Sequence, residues 1–211
     1  MQWAPLANLK HGLHLPDGYI VEQLGRQDIN DVTNSVRSWY QDISIGSARK
    51  YLDNGFYLTH TSLAGEEERD QIAYVGKFGG RIVSMTLLRR DVEASVIYGA
   101  FGAVDPAHRG LGIAAFATYI MDEQARSMGA AMAYAHVTLK SSAVQRMFER
   151  AGFKPVGIVP ASDWELHPQG HMERVTEVLY TKVYAAPEKL ASVITDHMTP
   201  AVKELWEFLN R

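Results

Sequence analysis

The sequence predicts a mixed α/β domain of the α+β class, and three observations carry that expectation. An apolar run with Val96, Ile97, Tyr98, Phe101 and Val104 breaks at Asp105-Pro106 into a basic, glycine-bearing turn that opens an amphipathic helix, a strand-turn-helix unit. Two alternating segments, residues 71–77 and 81–88, flank Phe78-Gly79-Gly80, which is hairpin chemistry. Three further apolar runs, residues 131–139, 154–159 and 175–184, are separated by helix and turn signals.

The elements follow in order. The leader, residues 1–18, has Pro and Leu without periodicity and is expected to drape on the surface or against a partner. Residues 19–24 form a short strand, and Asp28 caps a helix in which Ile29, Val32, Val36 and Tyr40 recur at helical spacing. A short helix over residues 47–54 ends before Gly55, residues 56–63 stay open between strand and loop, and residues 65–70 are a solvated charge run. The central helix shows one buried face of Ile113, Phe116, Ala117, Ile120, Met121, Gln124 and Met128, with Gly129 as its left-handed cap. Ser142 with Gln145 makes a capping box for the next helix, whose Schellman end at Gly152-Phe153 lets Phe153 pack back onto Phe148. Residues 160–172 are a loop between two strands, the last of which pairs antiparallel with a predecessor.

Beyond Pro187 the expectation is a helix over residues 188–198 and a second one capped by Thr199 with Pro200 in first position. Leu205, Phe208 and Leu209 then pack on the domain's own core, and a homodimer contact is the alternative use of that edge. The resulting division is a leader at 1–18, one domain at 19–184 and a helical extension at 185–211 packed on it.

Composition sets the bounds. With 211 residues and 46% hydrophobic content the chain suits one well-buried domain with additions. A net charge of -3 provides no overall attraction to nucleic acid or to an anionic membrane, so neither is an expected partner. No cysteine is present, which excludes disulfides, cysteine zinc sites and thiol catalysis. No stretch approaches the length of a membrane span and the N-terminus lacks a signal-peptide core, so the expected location is cytoplasmic. No metal site is expected: in His167-Pro168-Gln169-Gly170-His171, Pro and Gly forbid the helix that would aim both rings at one ion, and the segment reads as a surface loop.

The turn at residues 108–114 is where chemistry concentrates. It leaves backbone N–H groups unpaired at a helix start, where the macrodipole also favours an anion. Gly110 and Gly112 let a ligand approach bare backbone, and Arg109 adds a permanent, forked positive charge. Such a turn suits a di- or triphosphate. A Rossmann site is disfavoured because Gly110-x-Gly112 continues to Ala115 and lies mid-chain, and a P-loop fails because no Lys-Ser/Thr pair follows the glycines.

Arg109-x-x-Gly112-x-Ala114 after an apolar strand resembles the acetyl-coenzyme A signature of the GNAT superfamily of N-acetyltransferases. Residues 141–153, ending Phe148-Glu149-Arg150-Ala151-Gly152-Phe153, are similar to the family's following helix. The resemblance implies a central mixed, mostly antiparallel sheet splayed between two parallel strands, residues 95–104 and 131–139, with helices on both faces and extra helices at the C-terminus. It implies acetyl-coenzyme A as acyl donor, held by Arg109, Gly110, Leu111, Gly112, Ile113 and Ala114, with backbone N–H groups near Ala103 and Val104 on the acetyl carbonyl and pantetheine arm.

The implied activity is direct acetyl transfer to a small amine in a ternary complex, and the lack of cysteine agrees with it. Tyr98 stands at the family's base position and is a poor base unless its pKa is depressed; His136, on the next strand, is the nearby side chain that titrates near neutrality. Ser141 replaces the usual Asn, with a shorter hydrogen bond to the coenzyme expected, and Phe148 replaces the Tyr that protonates the departing thiolate. Phe148 and the lack of an acid at position 98 motivate the alternative, a non-catalytic acyl-coenzyme A-binding regulatory protein.

Overall fold

The computed structural model describes residues 1–210; Arg211, the last residue of the expected extension, lies outside the described residues. Its strands are β1 (Tyr19–Gln23), β2 (Thr61–Ser62), β3 (Gln71–Phe78), β4 (Arg81–Asp91), β5 (Val96–Val104), β6 (Met132–Thr138), β7 (Lys154–Leu166) and β8 (Met172–Val183). They form one sheet in the order β1-β3-β4-β5-β6-β8-β7, with β2 beside β3. The α-helices are α1 (Leu6–Leu9), α2 (Ile29–Trp39), α3 (Asn54–His60), α4 (Ala115–Ser127), α5 (Ser142–Arg150) and α6 (Pro200–Leu209). One sheet face buries Ile97, Phe116, Ile120 and Phe153 under α4 and α5, and the other buries Val32, Val36, Tyr57 and Met85 under α2 and α3. The fold is therefore the expected α+β class, mostly antiparallel with helices on both faces.

The decisive feature is where the sheet opens. β5 and β6 are parallel but pair only from Val96↔Met132 to Gly99↔Ala135. Past that step β6 stays with β8 as far as Thr138↔Glu177, while β5 stays with β4 as far as Ser84↔Val104. The β4–β5 register shifts between Leu87 and Leu88, which face Phe101 and Gly99, leaving Ala100 as an extra residue. A bulge bends and twists its strand, here where β6 departs. Gly99 lets the layers approach closely at this point: a Cβ there would lie 3.1 Å from Met121 Sδ and 3.2 Å from Ala135 Cβ, so these neighbours would have to give by a few tenths of an ångström.

The hairpin turn is as expected, with Gly79 and Gly80 at φ 55° and 76°, the paired positive angles that match strand twist. Both helix ends are also as expected, with Ala130 N–H donating to Ala125 O at 2.9 Å and Phe153 N–H to Phe148 O at 3.0 Å. Elsewhere the structure corrects the sequence reading. Gly55 does not end a helix but sits in the first turn of α3, whose cap is Asp53 accepting the Gly55 N–H at 2.9 Å. Ser141, not Ser142, caps α5: its extended backbone lets Oγ accept the Ala143 N–H, while Gln145 Nε2 turns to Thr138 O at 3.4 Å. Helix α4 begins at Ala115, after Ile113, whose side chain is nonetheless buried.

The leader is part of the core. Trp3 and Leu9 are buried, Trp3 Nε1 donates to Arg69 O at 2.8 Å, and the Gln124 amide bonds both Ala4 N–H and Ala4 O at 2.9 Å. The expected loop at 160–172 is instead mostly hairpin, since β7 runs to Leu166 and pairs with Met172. Pro160 misled because it lies in a register shift between Val159 and Asp163, where Ala161 takes φ 55°. Of the helix expected over residues 188–198 only the 3-10 turns Pro187–Lys189 and Thr195–His197 form. Thr199 caps α6 as expected, but no residue of α6 is buried and Phe208 is 67% exposed, so its apolar edge faces outward. Among the described residues, no helix is long and apolar enough to cross a membrane.

Candidate active site

The turn after β5 is a candidate anion cradle. Gly110 and Gly112 take φ 79° and 89°, and the first inward bond of the following helix is Ala115 N–H to Gly112 O at 3.1 Å. Consequently the N–H groups of Gly110, Leu111, Gly112, Ile113 and Ala114 donate to no protein acceptor among the described residues. Five donors at one helix start, with the helix dipole behind them, are suited to phosphate oxygens.

Arg109 stands at the entrance. Its Nε donates to Val104 O at 3.2 Å and its guanidinium lies 4.9 Å from the centre of the Tyr40 ring. Its Nη groups make no hydrogen bond among the described residues, so they stay free for an anion while Nε ties the turn to the end of β5. Tyr40, a residue the sequence reading assigned only to a helix, hydrogen-bonds the splayed strand end, its hydroxyl accepting the Val104 N–H at 3.3 Å.

Ladder alternation sorts the rest of β5. Asp105 N–H donates to Val83 O at 2.8 Å, and in an antiparallel pair such bonds recur every second residue. Ala103 therefore turns its N–H toward β4, and Gly102 and Val104 turn theirs into the opening. Of the two residues named from sequence, Val104 has the expected orientation, and Gly102 takes the place given to Ala103.

A cavity of about 570 Å³ runs through the opening. On the side of the turn it is lined by Ala114, Phe116, Met121, Val144 and Phe148. Phe148 is nearly buried, its ring edge-on to Phe153 at 5.2 Å and tilted against Tyr180 at 5.7 Å. Ser141, expected to bind the coenzyme, does not line the cavity, and its Oγ accepts the Ala143 N–H as the cap of α5.

The opposite end of the cavity is polar and aromatic. Tyr98 and His136 both line it, with ring centres 6.3 Å apart. Burial, followed by the nearby Glu177 carboxylate, pushes the Tyr98 phenol above its ordinary value, so it keeps its proton at neutral pH. Glu177, on β8, faces His136 Nδ1 at 3.4 Å and accepts the Ser162 hydroxyl at 2.6 Å. Lys140 pairs with Asp42 at 2.9 Å and also with Glu165, whose carboxyl is raised by burial despite that partner. Asp163 accepts the N–H and hydroxyl of Ser47 at 2.9 and 2.7 Å, holding β7 against the segment after α2. Sequence reasoning found Tyr98 and His136 here and missed Tyr40, Glu177 and the Asp42–Lys140–Glu165 group, which no local spacing links.

Away from the cavity, the β7–β8 turn stacks His167 and His171 at 4.4 Å beside Glu173. A hairpin thus brings together two rings that the loop reading kept apart. His167 Nδ1 accepts the Gln169 N–H at 3.2 Å, which puts the proton of the neutral ring on Nε2.

Comparison with known proteins fits this geometry. Residues 33–153, more than half of the chain, match the model of a family described as the acetyltransferase (GNAT) family. No curated protein matches the chain significantly. The ribosomal-protein-S18-alanine N-acetyltransferase from Escherichia coli superposes with a TM-score of 0.59 at 13% identity, covering 82% of this chain and 99% of that one. A dodecameric spermidine N-acetyltransferase from Vibrio cholerae superposes with a TM-score of 0.60 at 14% identity, covering 80% and 95%. A nourseothricin acetyltransferase is matched over 54% of this chain and 65% of its own, at 19% identity and a TM-score of 0.46. At these identities the likeness concerns the fold.

Proposed function

As a member of the GNAT acetyltransferase family the chain is an N-acetyltransferase, and we propose that it moves the acetyl group of acetyl-coenzyme A directly to the amine of a small molecule, with both substrates held together in the opened sheet. The observation that carries the reading is the continuity of one cavity, from Ala114 at the anion cradle to Tyr98 and His136 at the polar end. Donor and acceptor can then meet in line without a covalent enzyme intermediate, in keeping with the lack of cysteine.

On this reading the donors of residues 110–114 and the free end of Arg109 hold the pyrophosphate, and the Gly102 and Val104 N–H groups serve the acetyl carbonyl and the pantetheine arm. Donors aimed at the carbonyl oxygen stabilise the charge it gains as the amine adds. For Val104 this requires its N–H to leave the Tyr40 hydroxyl, a long bond at 3.3 Å. His136 accepts the proton that the acceptor must lose, while Tyr98, still protonated, orients the amine. Phe148 packs against the coenzyme sulfur and donates nothing. Acetyl-coenzyme A supplies the acyl group as substrate, and no metal enters the scheme.

The experiment is release of free coenzyme A in the presence of a panel of primary amines and peptides, with acetylated products identified by mass. Release that depends on an amine and is lost in His136→Gln supports the reading. Amine-independent release, or none with any acceptor, counts against it.

A further inference from the structure

We propose that Glu177 is a positioning residue for His136, holding the imidazole in the tautomer that leaves Nε2 free to take the acceptor's proton. The inference rests on the transferase reading above and adds to it a residue outside the segment matched by the family model, which ends at residue 153. Strand register brings the two together: β6 and β8 pair antiparallel with His136↔Leu179 and Thr138↔Glu177, so His136 and Glu177 are diagonal neighbours on one face. Their side chains meet with Nδ1 3.4 Å from Oε2, an ion-pair distance that is not yet a hydrogen bond; catalytic contacts often tighten into one only when substrate binds.

The carboxylate is itself held. Ser162 Oγ donates to Glu177 Oε2 at 2.6 Å, and Ser162 reaches it from the irregular part of β7 beside Ala161. Ser162, Glu177 and His136 all line the cavity. A carboxylate can only accept, so it selects the ring form with the proton on Nδ1 and the lone pair on Nε2. Once Nε2 is protonated, the same carboxylate stabilises the imidazolium.

The proton inventory closes. The acceptor arrives as an ammonium and one N–H proton passes to Nε2 of His136. The freed nitrogen pair forms the C–N bond as the C–S bond breaks. The surplus proton on nitrogen goes to sulfur, and His136 returns its proton to solvent. The other titratable groups sharing the cavity are Tyr98 from β5, Tyr40 and Tyr51 from the segments after α2, Asp163 and Glu165 from β7, and Asp42 with Lys140. Asp163 is engaged by Ser47, and Glu165 and Asp42 by Lys140, which leaves Glu177 as the carboxylate turned to His136.

Two measurements test this. Side-chain 15N NMR of His136 needs no acceptor: wild type should show the Nδ1–H form, and Glu177→Gln should shift the ring toward Nε2–H. An Nε2–H ring in wild type, or an unchanged ring in Glu177→Gln, overturns the proposal. With the amine that releases coenzyme A fastest, Glu177→Gln should lower kcat about 10- to 100-fold with the acetyl-coenzyme A KM within about twofold. The acid limb of kcat/KM should move to lower pH, and Glu177→Asp should recover part of the rate. In a His136→Gln background Glu177→Gln should add nothing further. A fall in rate with an unmoved acid limb, or an equal fall in that background, overturns the proposal by showing that Glu177 acts independently of His136. Full turnover in His136→Gln would instead remove His136 as proton acceptor while leaving acetyl transfer standing. Wild-type inactivity with every amine sinks the transferase reading, and the NMR result still decides the contact.

Discussion

Gly112→Ala separates the ligand claim from the structural one. Gly112 has φ 89°, and a Cβ there would have Pro16 Cγ at 3.8 Å as its near neighbour, an ordinary contact. No clash is built in, so the cost to folding is the left-handed strain of a non-glycine residue, about 1–2 kcal/mol. For a chain of this size each kcal/mol moves Tm by about 2–4 °C, giving an expected fall of about 2–8 °C. The cost to binding is of another kind. The new methyl sits among the N–H groups of residues 110–114, which donate to no protein acceptor among the described residues, and displacing one charge-assisted phosphate bond costs about 1.5–3 kcal/mol. Coenzyme A should therefore bind about 10- to 150-fold more weakly in calorimetry. Gly129→Ala is the matched control: φ is 66°, no heavy atom lies within 4 Å of its Cβ, and it stands at the far end of α4. It should melt earlier by a similar amount and bind coenzyme A normally. Equal affinity losses in the two variants, or none in Gly112→Ala, would refute close approach of phosphate to this turn.

Three further outcomes are expected. Arg109→Ala removes the Nε bond to Val104 O and the cation over Tyr40, costing about 0.5–1.5 kcal/mol of stability, and weakens coenzyme A by a further charge-assisted contact; unchanged affinity in calorimetry would take Arg109 out of the site. Phe148→Tyr places a hydroxyl where a proton donor is otherwise lacking, so turnover should hold or rise, with a stability cost of about 1–3 kcal/mol if the hydroxyl stays unpartnered; a large drop in turnover with intact folding and affinity would show that the apolar ring itself is needed. Burial alone would raise the Asp122 carboxyl, but hydrogen bonds from Lys182, Tyr184 and Arg126 outweigh it and hold it below its ordinary value. A depressed folded pKa stabilises above the unfolded value of about 4 and is lost as pH falls through the folded one, so the Tm gap between wild type and Asp122→Asn should be widest near neutrality and close in acid; a gap independent of pH would refute the assignment.

The parts of the fold legible in sequence were those whose cause is local. The Gly79-Gly80 hairpin, the Schellman ends at Gly129 and Gly152, and the Thr199 cap each depend on a few consecutive residues, and each is present. What failed depends on remote partners. Gly55 and Pro160 carry breaker signals, yet one is absorbed into a first helical turn capped by Asp53 and the other into a bulge of β7. The leader has too few residues to show a period, and its burial rests on Gln124 and Arg69, far along the chain. Leu205 and Phe208 have core-like spacing, but periodicity says that a face is apolar and not what covers it; both are exposed.

The site divides in the same way. The proposed anion cradle is a contiguous run, residues 109–114, so its chemistry could be read in order. The polar end of the cavity gathers Asp42, His136, Lys140, Glu165 and Glu177 from elements that only the sheet order brings together. Phe148 links the two halves. With an apolar ring at the position that the sequence resemblance assigns to the thiolate's proton donor, the proposed reaction has no side chain there to protonate sulfur. In the proposed scheme the proton for sulfur comes from the attacking nitrogen, directly or through water. That nitrogen brings two protons to lose, one before attack and one after, and only the first needs a base. On that proposal His136, held by Glu177, moves one proton per turnover, and the acceptor is an amine that still carries a proton after it has attacked.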